Sequence, residues 1–321
     1  MAAVGTKGTI KPCSNFNAAD DVQKLRKAMK GAGTDEDAII DVIANRTLAQ
    51  RQQINIAYKS TVGKDLEDDL KSELTGHFEQ AVVGLMTPIT LYDVHELKKA
   101  MKGAGTDEGC LIEILASRSA EEIRNINVTY RLKYSKSLED DICSDTSFMF
   151  QRVLVSLAAG GRDQSDRVDE SLAKQDAKEL YEAGEKKWGT DEVKFLTILC
   201  TRNRKHLLKV FEEYKKISKK DLEASIKSEM SGSLEDALLA VVKCVKNRSA
   251  YFAERLYKSM KGLGTDDNTL IRVMVSRCEI DLLEIRSEFK KMYGKSLHSF
   301  IKGDTSGDYR KLLLKLCGGE D

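Results

Sequence analysis

The chain has 321 residues, of which 41% are hydrophobic and 32% charged, and it contains only two prolines and 6% aromatic residues. This composition is typical of a soluble, helix-rich protein rather than a β-sandwich, and no apolar run reaches the length of a membrane span. A net charge of +1 excludes a strong overall attraction to nucleic acid or to anionic lipid, so an acidic surface must be bound through a local feature.

The two ends of the chain carry no recognisable targeting signal. Residues 1–15, which we expect to form a short tail, contain no apolar signal segment, and Ala2 stands where N-myristoylation would require glycine. The seven cysteines are scattered without close pairing, which indicates reduced thiols rather than a disulfide framework or a zinc knuckle. These features predict a cytoplasmic protein without a signal peptide or a transmembrane segment.

After the tail, the chain begins with apolar residues at helical spacing, namely Val22, Leu25 and Met29. The glycines that follow Met29 predict the end of this first helix, because glycine adopts the backbone angles of a helix C-terminus. Thr34 is then predicted to cap a second helix, whose acidic first turn suits the helix dipole.

Three further short helices are predicted in the same unit. The third surrounds Ile54 and ends near Gly63, the fourth begins at Asp65, and the fifth follows Gly76. A unit of about five short helices is therefore expected over residues 16–87.

This unit recurs along the whole chain. The loop after the first helix reads MKGAGTDE from Met29, MKGAGTDE from Met101, GEKKWGTDE from Gly184 and MKGLGTDD from Met260. Core positions recur at fixed distances from these loops, and one of them holds Ile54, Ile126, Val210 and Ile285. The loops lie too far apart for tetratricopeptide, ankyrin or HEAT units.

We therefore predict an all-α fold of four homologous repeats. Their boundaries are 16–87 for repeat 1, 88–158 for repeat 2, 172–246 for repeat 3 and 247–321 for repeat 4. The polar stretch from Ala158 to Gln175 is read as the longest linker, with residues 159–171 assigned to no repeat.

A lone carboxylate lies 40 residues after the last glycine of each loop. The four acids are Glu73, Asp145, Glu229 and Asp304. A corner between two helices would by itself explain the glycines and the threonine, but a corner does not require a distant acid. The recurring acid favours an ion site that is built four times.

Ligand counting suggests which ion such a site would hold. In repeat 1 the carbonyl oxygens of Met29, Gly31 and Gly33 can converge on an ion, and Glu73 can add two oxygens. Ca²⁺ accepts about six to eight oxygen ligands in irregular geometry, whereas Mg²⁺ requires an octahedron. The pattern therefore favours Ca²⁺, with open positions that a lipid phosphate oxygen can fill.

The loops and their distant carboxylates resemble the annexin repeat, and the resemblance covers nearly the whole chain. It implies a curved disc of four five-helix repeats that binds acidic, phosphatidylserine-like phospholipid reversibly and in a Ca²⁺-dependent manner at the cytosolic side of membranes. It also implies lateral self-association on membranes and a role in vesicle aggregation or exocytosis. Carried onto this sequence, the family's Ca²⁺ ligands are Met29, Gly31, Gly33 and Glu73; Met101, Gly103, Gly105 and Asp145; and Met260, Gly262, Gly264 and Asp304.

Repeat 3 departs from this pattern because its loop is one residue longer. The corresponding ligands there are Gly184, Lys187, Gly189 and Glu229. A lysine can supply a backbone carbonyl, but its ammonium adds like charge near the ion. Trp188, the only tryptophan, lies in the same loop and either folds back into the repeat or turns outward when Ca²⁺ binds.

Other polar residues near the repeats have less specific interpretations. Glu36 and Glu108 either complement a helix dipole or serve minor Ca²⁺ sites. An arginine that follows an apolar helix face in every repeat is expected to pair with a helix carboxylate rather than to bind phosphate. These arginines are Arg46, Arg118, Arg202 and Arg277. The four histidines share no repeat position and are expected to be incidental.

Two other classes of function are alternatives to a membrane-binding protein. The sequence contains no Walker loop, dinucleotide fingerprint, His-Glu-Xaa-Xaa-His motif or nucleophile elbow, so we do not expect an enzyme. A helical-repeat scaffold that binds only proteins is the alternative, and Ca²⁺-independent binding to a partner would favour it.

Overall fold

The structure is a computed structural model that describes residues 7–186 and 192–320. These residues form α-helices without any β-strand among them, which confirms the predicted all-α fold class. Repeats 1 and 2 contain α1 (Ala18–Ala28), α2 (Glu36–Ile43), α3 (Leu48–Val62), α4 (Leu66–Glu73), α5 (Gly76–Met86), α6 (Ile89–Ala100), α7 (Glu108–Ser117), α8 (Ala120–Tyr134), α9 (Leu138–Asp145) and α10 (Phe148–Ala158).

Repeats 3 and 4 follow the same order of helices. They contain α11 (Glu170–Tyr181), α12 (Glu192–Thr201), α13 (Arg204–Ser218), α14 (Leu222–Glu229), α15 (Gly232–Met260), α16 (Asp267–Arg277), α17 (Leu282–Tyr293), α18 (Leu297–Asp304) and α19 (Gly307–Cys317). A π-helical turn, Glu182–Lys186, follows α11. Helix α15 is broken at Asn247, whose φ of −158° and ψ of 94° are not helical, so its two parts serve as the last helix of repeat 3 and the first of repeat 4.

The predicted linker is partly helical, so the prediction of a linker up to Gln175 was wrong at its C-terminal end. Helix α11 begins at Glu170, and the Asp169 side chain accepts a hydrogen bond from the Leu172 N–H at 3.0 Å. The helix buries Ala173, a small residue that gives little hydropathy signal. The remaining linker is held to repeat 3, because the Asp163 N–H donates to the Thr201 carbonyl at 2.7 Å.

The chain forms two compact units that do not follow the order of the repeats. One unit joins the N-terminal part of the chain, through Ile89, to the C-terminal part from Ser249, and the other is Thr90–Arg248. In the first unit, α16 and α19 of repeat 4 pack against α5 of repeat 1. In the second unit, α12 of repeat 3 packs against α10 of repeat 2.

Contacts between distant residues hold repeats 1 and 4 together. Glu279 of repeat 4 accepts hydrogen bonds from the Leu48 N–H at 2.9 Å and from the Arg51 guanidinium at 3.0 Å. The predicted tail joins the same region, because the Thr9 N–H donates to the Cys278 carbonyl at 2.7 Å. A Cβ atom on Gly8 would lie only 2.5 Å from the carbonyl carbon of Glu279, so this approach requires glycine.

The predicted core positions are buried in every repeat. Ile54, Ile126, Val210 and Ile285 are each fully buried. The predicted ion pairs of the recurring arginine are also confirmed in the first three repeats. They are Arg46–Asp21 at 2.7 Å, Arg118–Asp93 at 2.8 Å and Arg202–Asp176 at 2.8 Å.

In repeat 4 the recurring arginine also pairs with an aspartate, but at a different position. Phe252 occupies the position of the first-helix aspartate, and Arg277 instead pairs with Asp281 at 2.8 Å, four residues along the chain. The guanidinium carbon of Arg277 lies 4.6 Å from the centroid of the Phe252 ring, so a cation–π contact accompanies the ion pair.

A tyrosine–aspartate hydrogen bond fixes the fourth helix of repeats 1 and 2 against the third. The Tyr58 hydroxyl donates to Asp69 at 2.6 Å, and the Tyr130 hydroxyl donates to Asp141. In repeat 4 both partners are replaced by phenylalanines, and the rings of Phe289 and Phe300 lie 5.1 Å apart, edge to face. The fourth helix is therefore held in place by polar contacts in some repeats and by apolar contacts in another.

The ionised form of Asp141 is expected to stabilise the fold at neutral pH. Burial opposes ionisation of this carboxyl, but hydrogen bonds from Lys136, Lys98 and Tyr130 outweigh burial and lower its pKa to about 2. Since this pKa lies below the value of about 3.9 in an unfolded chain, the stabilisation is present above about pH 4 and lost as the pH falls towards 2.

This pH dependence can be measured by comparing wild type with Asp141→Asn. The free energy of unfolding, from urea titrations between pH 5 and pH 2, should be higher for wild type at pH 5, and the difference should shrink below about pH 4. A difference that stays constant over this range would show that the charge of Asp141 does not stabilise the fold.

Candidate metal centre

The loops after the first helix have the same conformation in repeats 1, 2 and 4. In each, the N–H of an aspartate closes the loop by donating to a carbonyl of the preceding helix. These hydrogen bonds are Asp35 to Ala28 at 2.9 Å, Asp107 to Ala100 at 2.9 Å and Asp266 to Ser259 at 2.7 Å. Both glycines of each loop have positive φ. The angles are 109° and 90° for Gly31 and Gly33, 99° and 101° for Gly103 and Gly105, and 104° and 83° for Gly262 and Gly264.

The prediction that Thr34 caps the second helix was wrong. Asp35 is the residue before α2, and its side chain accepts a hydrogen bond from the Ala38 N–H at 3.0 Å. Thr34 lies one residue before the N-cap position of α2, which Asp35 occupies. Its hydroxyl instead donates to Oε2 of Glu73 at 2.8 Å.

This contact brings the predicted distant carboxylate to the loop. The Thr106 hydroxyl donates to Oδ2 of Asp145 at 2.6 Å, and the Thr265 hydroxyl donates to Asp304 in the same way. Three of the four predicted carboxylates therefore lie within hydrogen-bond distance of the loop that they were predicted to serve.

Each of the four carboxylates is the last residue of the fourth helix of its repeat. Glu73 ends α4, Asp145 ends α9, Glu229 ends α14 and Asp304 ends α18. A negative charge at this end opposes the helix dipole, which favours cations there. Folding stability alone does not account for an acid at this position in every repeat, whereas a bound cation would.

The donor set fits Ca²⁺ better than a transition metal. The residues that the structure describes contain no group of three or more His, Cys, Asp or Glu side chains able to hold an ion. In repeats 1, 2 and 4 one carboxylate instead contacts the threonine of a glycine loop, whose backbone carbonyls are the other oxygens available as ligands. Main-chain and carboxylate oxygens are the ligands that Ca²⁺ prefers. A Cβ atom added to any of the six loop glycines would meet no atom within 4 Å, so these glycines are required for their backbone angles.

Glu36 and Glu108, the candidate ligands of minor Ca²⁺ sites, share pockets with two of these carboxylates. Glu36 lines the same open pocket of about 350 Å³ as Glu73, and Glu108 lines a pocket of about 390 Å³ with Asp145. Each pocket is also lined by residues from the fifth helix of another repeat. In the first pocket, one such residue is Tyr309 on α19 of repeat 4. A minor Ca²⁺ role for Glu36 and Glu108 stays a prediction.

The repeat 3 site is described only in part. Gly184 lies in the π-helical turn rather than in an open loop, and Glu229 ends α14 as its counterparts do. Lys187, Trp188 and Gly189 lie outside the described residues. The Ca²⁺ ligands of this repeat therefore stay a prediction.

Two exposed apolar side chains at these sites were not singled out from the sequence. Leu263, between the two glycines of the repeat 4 loop, is fully exposed, whereas repeats 1 and 2 have Ala32 and Ala104 there. Phe148 begins α10, three residues after Asp145, and is 89% exposed. Aligning the repeats position by position would have identified both residues as departures from their counterparts.

Replacing Gly105 by alanine should weaken Ca²⁺ binding in repeat 2. At φ 101° a side chain costs about 1–2 kcal/mol, so the ion-free loop of the variant should relax to another conformation. Ca²⁺ binding must then restore the original arrangement of the carbonyls, and this cost should weaken binding roughly tenfold.

Calcium titration of Gly105→Ala in a background that retains only the repeat 2 carboxylate would measure this effect. Gly161→Ala is the matched control, because Gly161 also has no atom within 4 Å of an added Cβ but lacks a positive φ. Equal affinities of the two variants would show that the loop conformation does not control Ca²⁺ binding.

Comparison with known proteins shows the family to which the chain is related. The sequence profile of the Annexin family matches residues 20–85, 92–157, 175–241 and 251–316. Annexin A4 of Sus scrofa is 75% identical over 321 residues, covering 100% of both chains.

Solved structures agree with the sequence comparison. The structure of annexin III has a TM-score of 0.97 at 53% identity and covers 99% of both chains. A calcium-bound annexin (Sm)1 has a TM-score of 0.85 at 35% identity, covering 98% of this chain and 93% of that one. The four matched repeats and the full-length identity show that the chain belongs to the annexin family, whose members bind Ca²⁺ and bind phospholipid in a Ca²⁺-dependent manner.

Proposed function

We propose that this chain attaches to membranes rich in acidic phospholipid through Ca²⁺ ions shared between protein and lipid. The observation that carries the proposal is the placement of Glu73, Asp145 and Asp304. Each ends a helix where its charge is unfavourable, and each accepts a hydrogen bond from the threonine of a glycine loop. A cation bound between loop and carboxylate would explain both features.

The binding step follows from coordination and charge. Three loop carbonyls and one bidentate carboxylate would supply about five oxygens, and Ca²⁺ accepts about six to eight. One carboxylate leaves the ion with a local charge near +1. A lipid phosphate oxygen completes the shell and neutralises that charge, so that the ion forms a bridge between the protein and the bilayer. Because several such sites would act on one surface, weak single sites can give strong attachment.

On this proposal the chain is a peripheral binding protein rather than an enzyme. Among the described residues, no helix has the length and apolar composition needed to cross a bilayer. Attachment would occur at the cytosolic face of membranes and would reverse when Ca²⁺ is removed. Lateral self-association of bound molecules, vesicle aggregation and a role in exocytosis are extensions of the same proposal.

Sedimentation with lipid vesicles tests the proposal. The chain should pellet with phosphatidylserine vesicles in the presence of Ca²⁺ and return to the supernatant when a chelator is added. Pelleting that is indifferent to chelator and to Glu73→Gln would instead favour a Ca²⁺-independent scaffold.

Repeat 3 is proposed to contribute a conditional site. Ca²⁺ bound through Lys187, Gly189 and Glu229 would turn Trp188 towards the headgroup zone, which suits an amphipathic ring. The intrinsic fluorescence of Trp188 during addition of Ca²⁺ and then of vesicles reports this step. An unchanged emission spectrum, with Glu229→Gln leaving binding intact, would limit the functional sites to three.

A further inference from the structure

The first residue of the fifth helix has a left-handed backbone conformation in all four repeats. Three of these residues are glycines, namely Gly76 with φ 66°, Gly232 with φ 63° and Gly307 with φ 61°. In repeat 2 the equivalent residue is Phe148, with φ 53°. A bulky residue rarely adopts this conformation, because its Cβ crowds the backbone.

The side chain of Phe148 does not compensate for this strain by packing in the core. The residue is 89% exposed, so the ring adds little to the buried apolar surface. Its backbone conformation and its exposure are therefore both unfavourable to the folded protein in water. A strained residue that stability does not explain is a candidate for a functional contact.

The surroundings of Phe148 indicate what this contact is. Phe148 lines the same open pocket as Thr106, Glu108 and Asp145 of repeat 2. A lipid whose phosphate completes the Ca²⁺ shell at Asp145 would place its glycerol backbone and upper acyl chains beside this pocket. The occupant that fits an apolar ring at this position is therefore the bilayer.

We propose that Phe148 is a membrane anchor that enters the interfacial zone of the acidic bilayer bound by the repeat 2 Ca²⁺ site. This inference rests on the proposed function, because the Ca²⁺ bridge brings the ring to the lipid. Without Ca²⁺, the charges of Glu108 and Asp145 repel an anionic surface and hold the ring in water. Since phenylalanine lacks a polar group, it should lie deeper than the headgroup level that tryptophan and tyrosine favour.

A fluorescence experiment measures insertion directly. Phe148→Trp is made in a Trp188→Phe background, and phosphatidylserine vesicles containing lipids brominated on the upper acyl chain serve as the quencher. With Ca²⁺ the emission should shift to the blue and be quenched, and chelator should reverse both changes. Leu132→Trp in the same background is the control, because Leu132 is 80% exposed on α8 but does not line this pocket. Quenching equal to that of the control would overturn the inference.

Two substitutions of the natural residue give an independent measurement. Phe148→Gly should reduce partitioning onto vesicles at fixed Ca²⁺ by about tenfold, since it removes most of the burial of one large apolar side chain. Its thermal stability should equal or exceed that of wild type, because glycine tolerates the left-handed backbone. Phe148→Leu should retain most of the binding.

The outcomes separate this inference from the proposed function. If wild type pellets with Ca²⁺ but Phe148→Gly binds equally well, the anchor is wrong and the Ca²⁺ bridge stands. If wild type does not pellet at any Ca²⁺ concentration, both fail. If the emission of Phe148→Trp shifts to the blue only when a protein partner is added, and not with vesicles, Phe148 belongs to a protein interface and the inference is overturned.

Discussion

Changing Glu73, Asp145 and Asp304 together to their amides should raise the Ca²⁺ concentration needed for half-maximal binding to phosphatidylserine vesicles by roughly a hundredfold or more. Each change removes the charged ligand that we propose for a site while keeping the shape of the side chain. On the proposed mechanism the three sites bind the same membrane, so the loss from the triple variant should exceed the loss from any single change. Sedimentation across a range of Ca²⁺ concentrations measures the shift.

The same variant should keep its fold. The amide oxygens can still accept the hydrogen bonds from Thr34, Thr106 and Thr265, and removing a negative charge from a helix C-terminus is worth about 0.3–1 kcal/mol. Thermal stability without Ca²⁺ should therefore be unchanged or slightly higher, while membrane binding requires much more Ca²⁺. A function-specific loss of this kind distinguishes a ligand from a structural acid.

A matched control removes the same number of charges elsewhere. Asp68→Asn, Asp140→Asn and Glu121→Gln affect exposed acids, two of them on the same helices as Glu73 and Asp145. This control should bind vesicles as wild type does. If the carboxylate variant also bound as wild type does, attachment would have to depend on repeat 3 or on a Ca²⁺-independent surface.

Ca²⁺ should bind one to two orders of magnitude more tightly when acidic vesicles are present, since coupling between two ligands is typically about 1–3 kcal/mol. On the proposed mechanism the protein alone supplies an incomplete coordination shell, so the free protein should bind Ca²⁺ weakly. Lipid phosphate would complete the shell, and ion and lipid would then stabilise the same complex. By reciprocity, Ca²⁺ must raise the affinity for lipid by the same factor.

Calorimetry with and without phosphatidylserine vesicles measures this coupling. Vesicles of zwitterionic lipid at the same concentration are the control, and they should raise the Ca²⁺ affinity less. The triple carboxylate variant should show little coupling with either lipid. Equal Ca²⁺ affinity of wild type in the presence and absence of phosphatidylserine would rule out a bridging ion.

Much of the fold and of the site could be predicted because four copies of one pattern reinforce each other. The buried positions represented by Ile54 and the pairing of Arg46 with a helix carboxylate follow from helical periodicity and burial, which are local properties of the sequence. The placement of Glu73 near its loop follows from the recurrence of an acid at the same distance in all four repeats.

Repeat patterns do not predict the residue at which a helix begins, nor the contacts between residues far apart in the sequence. Whether Thr34 or Asp35 caps α2 depends on where the helix begins, and sequence patterns locate helix ends only within a few residues. The pairing of repeat 1 with repeat 4 depends on contacts such as Glu279 with Leu48, for which the local sequence carries no signal.

Some departures could have been found by comparing the repeats with one another. In repeats 1 and 2 a tyrosine of the third helix donates a hydrogen bond to an aspartate of the fourth. In repeat 4, Phe289 replaces the tyrosine and Phe300 replaces the aspartate, so the two changes together preserve a contact between these helices. Phe148 has no such compensating partner in the part of the chain that the structure describes, and this absence of a packing role is what distinguishes it as a functional candidate.

On the proposed mechanism, one Ca²⁺ ion is shared between the loop, its distant carboxylate and a lipid phosphate. Crystallography of the protein with Ca²⁺ and a short-chain phosphatidylserine tests it most directly, with anomalous scattering to identify the ion. The expected result in repeat 2 is an ion bound by the carbonyls of Met101, Gly103 and Gly105, by both oxygens of Asp145, and by a phosphate oxygen. Lipid bound with no ion at the loop, or an ion there that does not contact Asp145, would contradict the account.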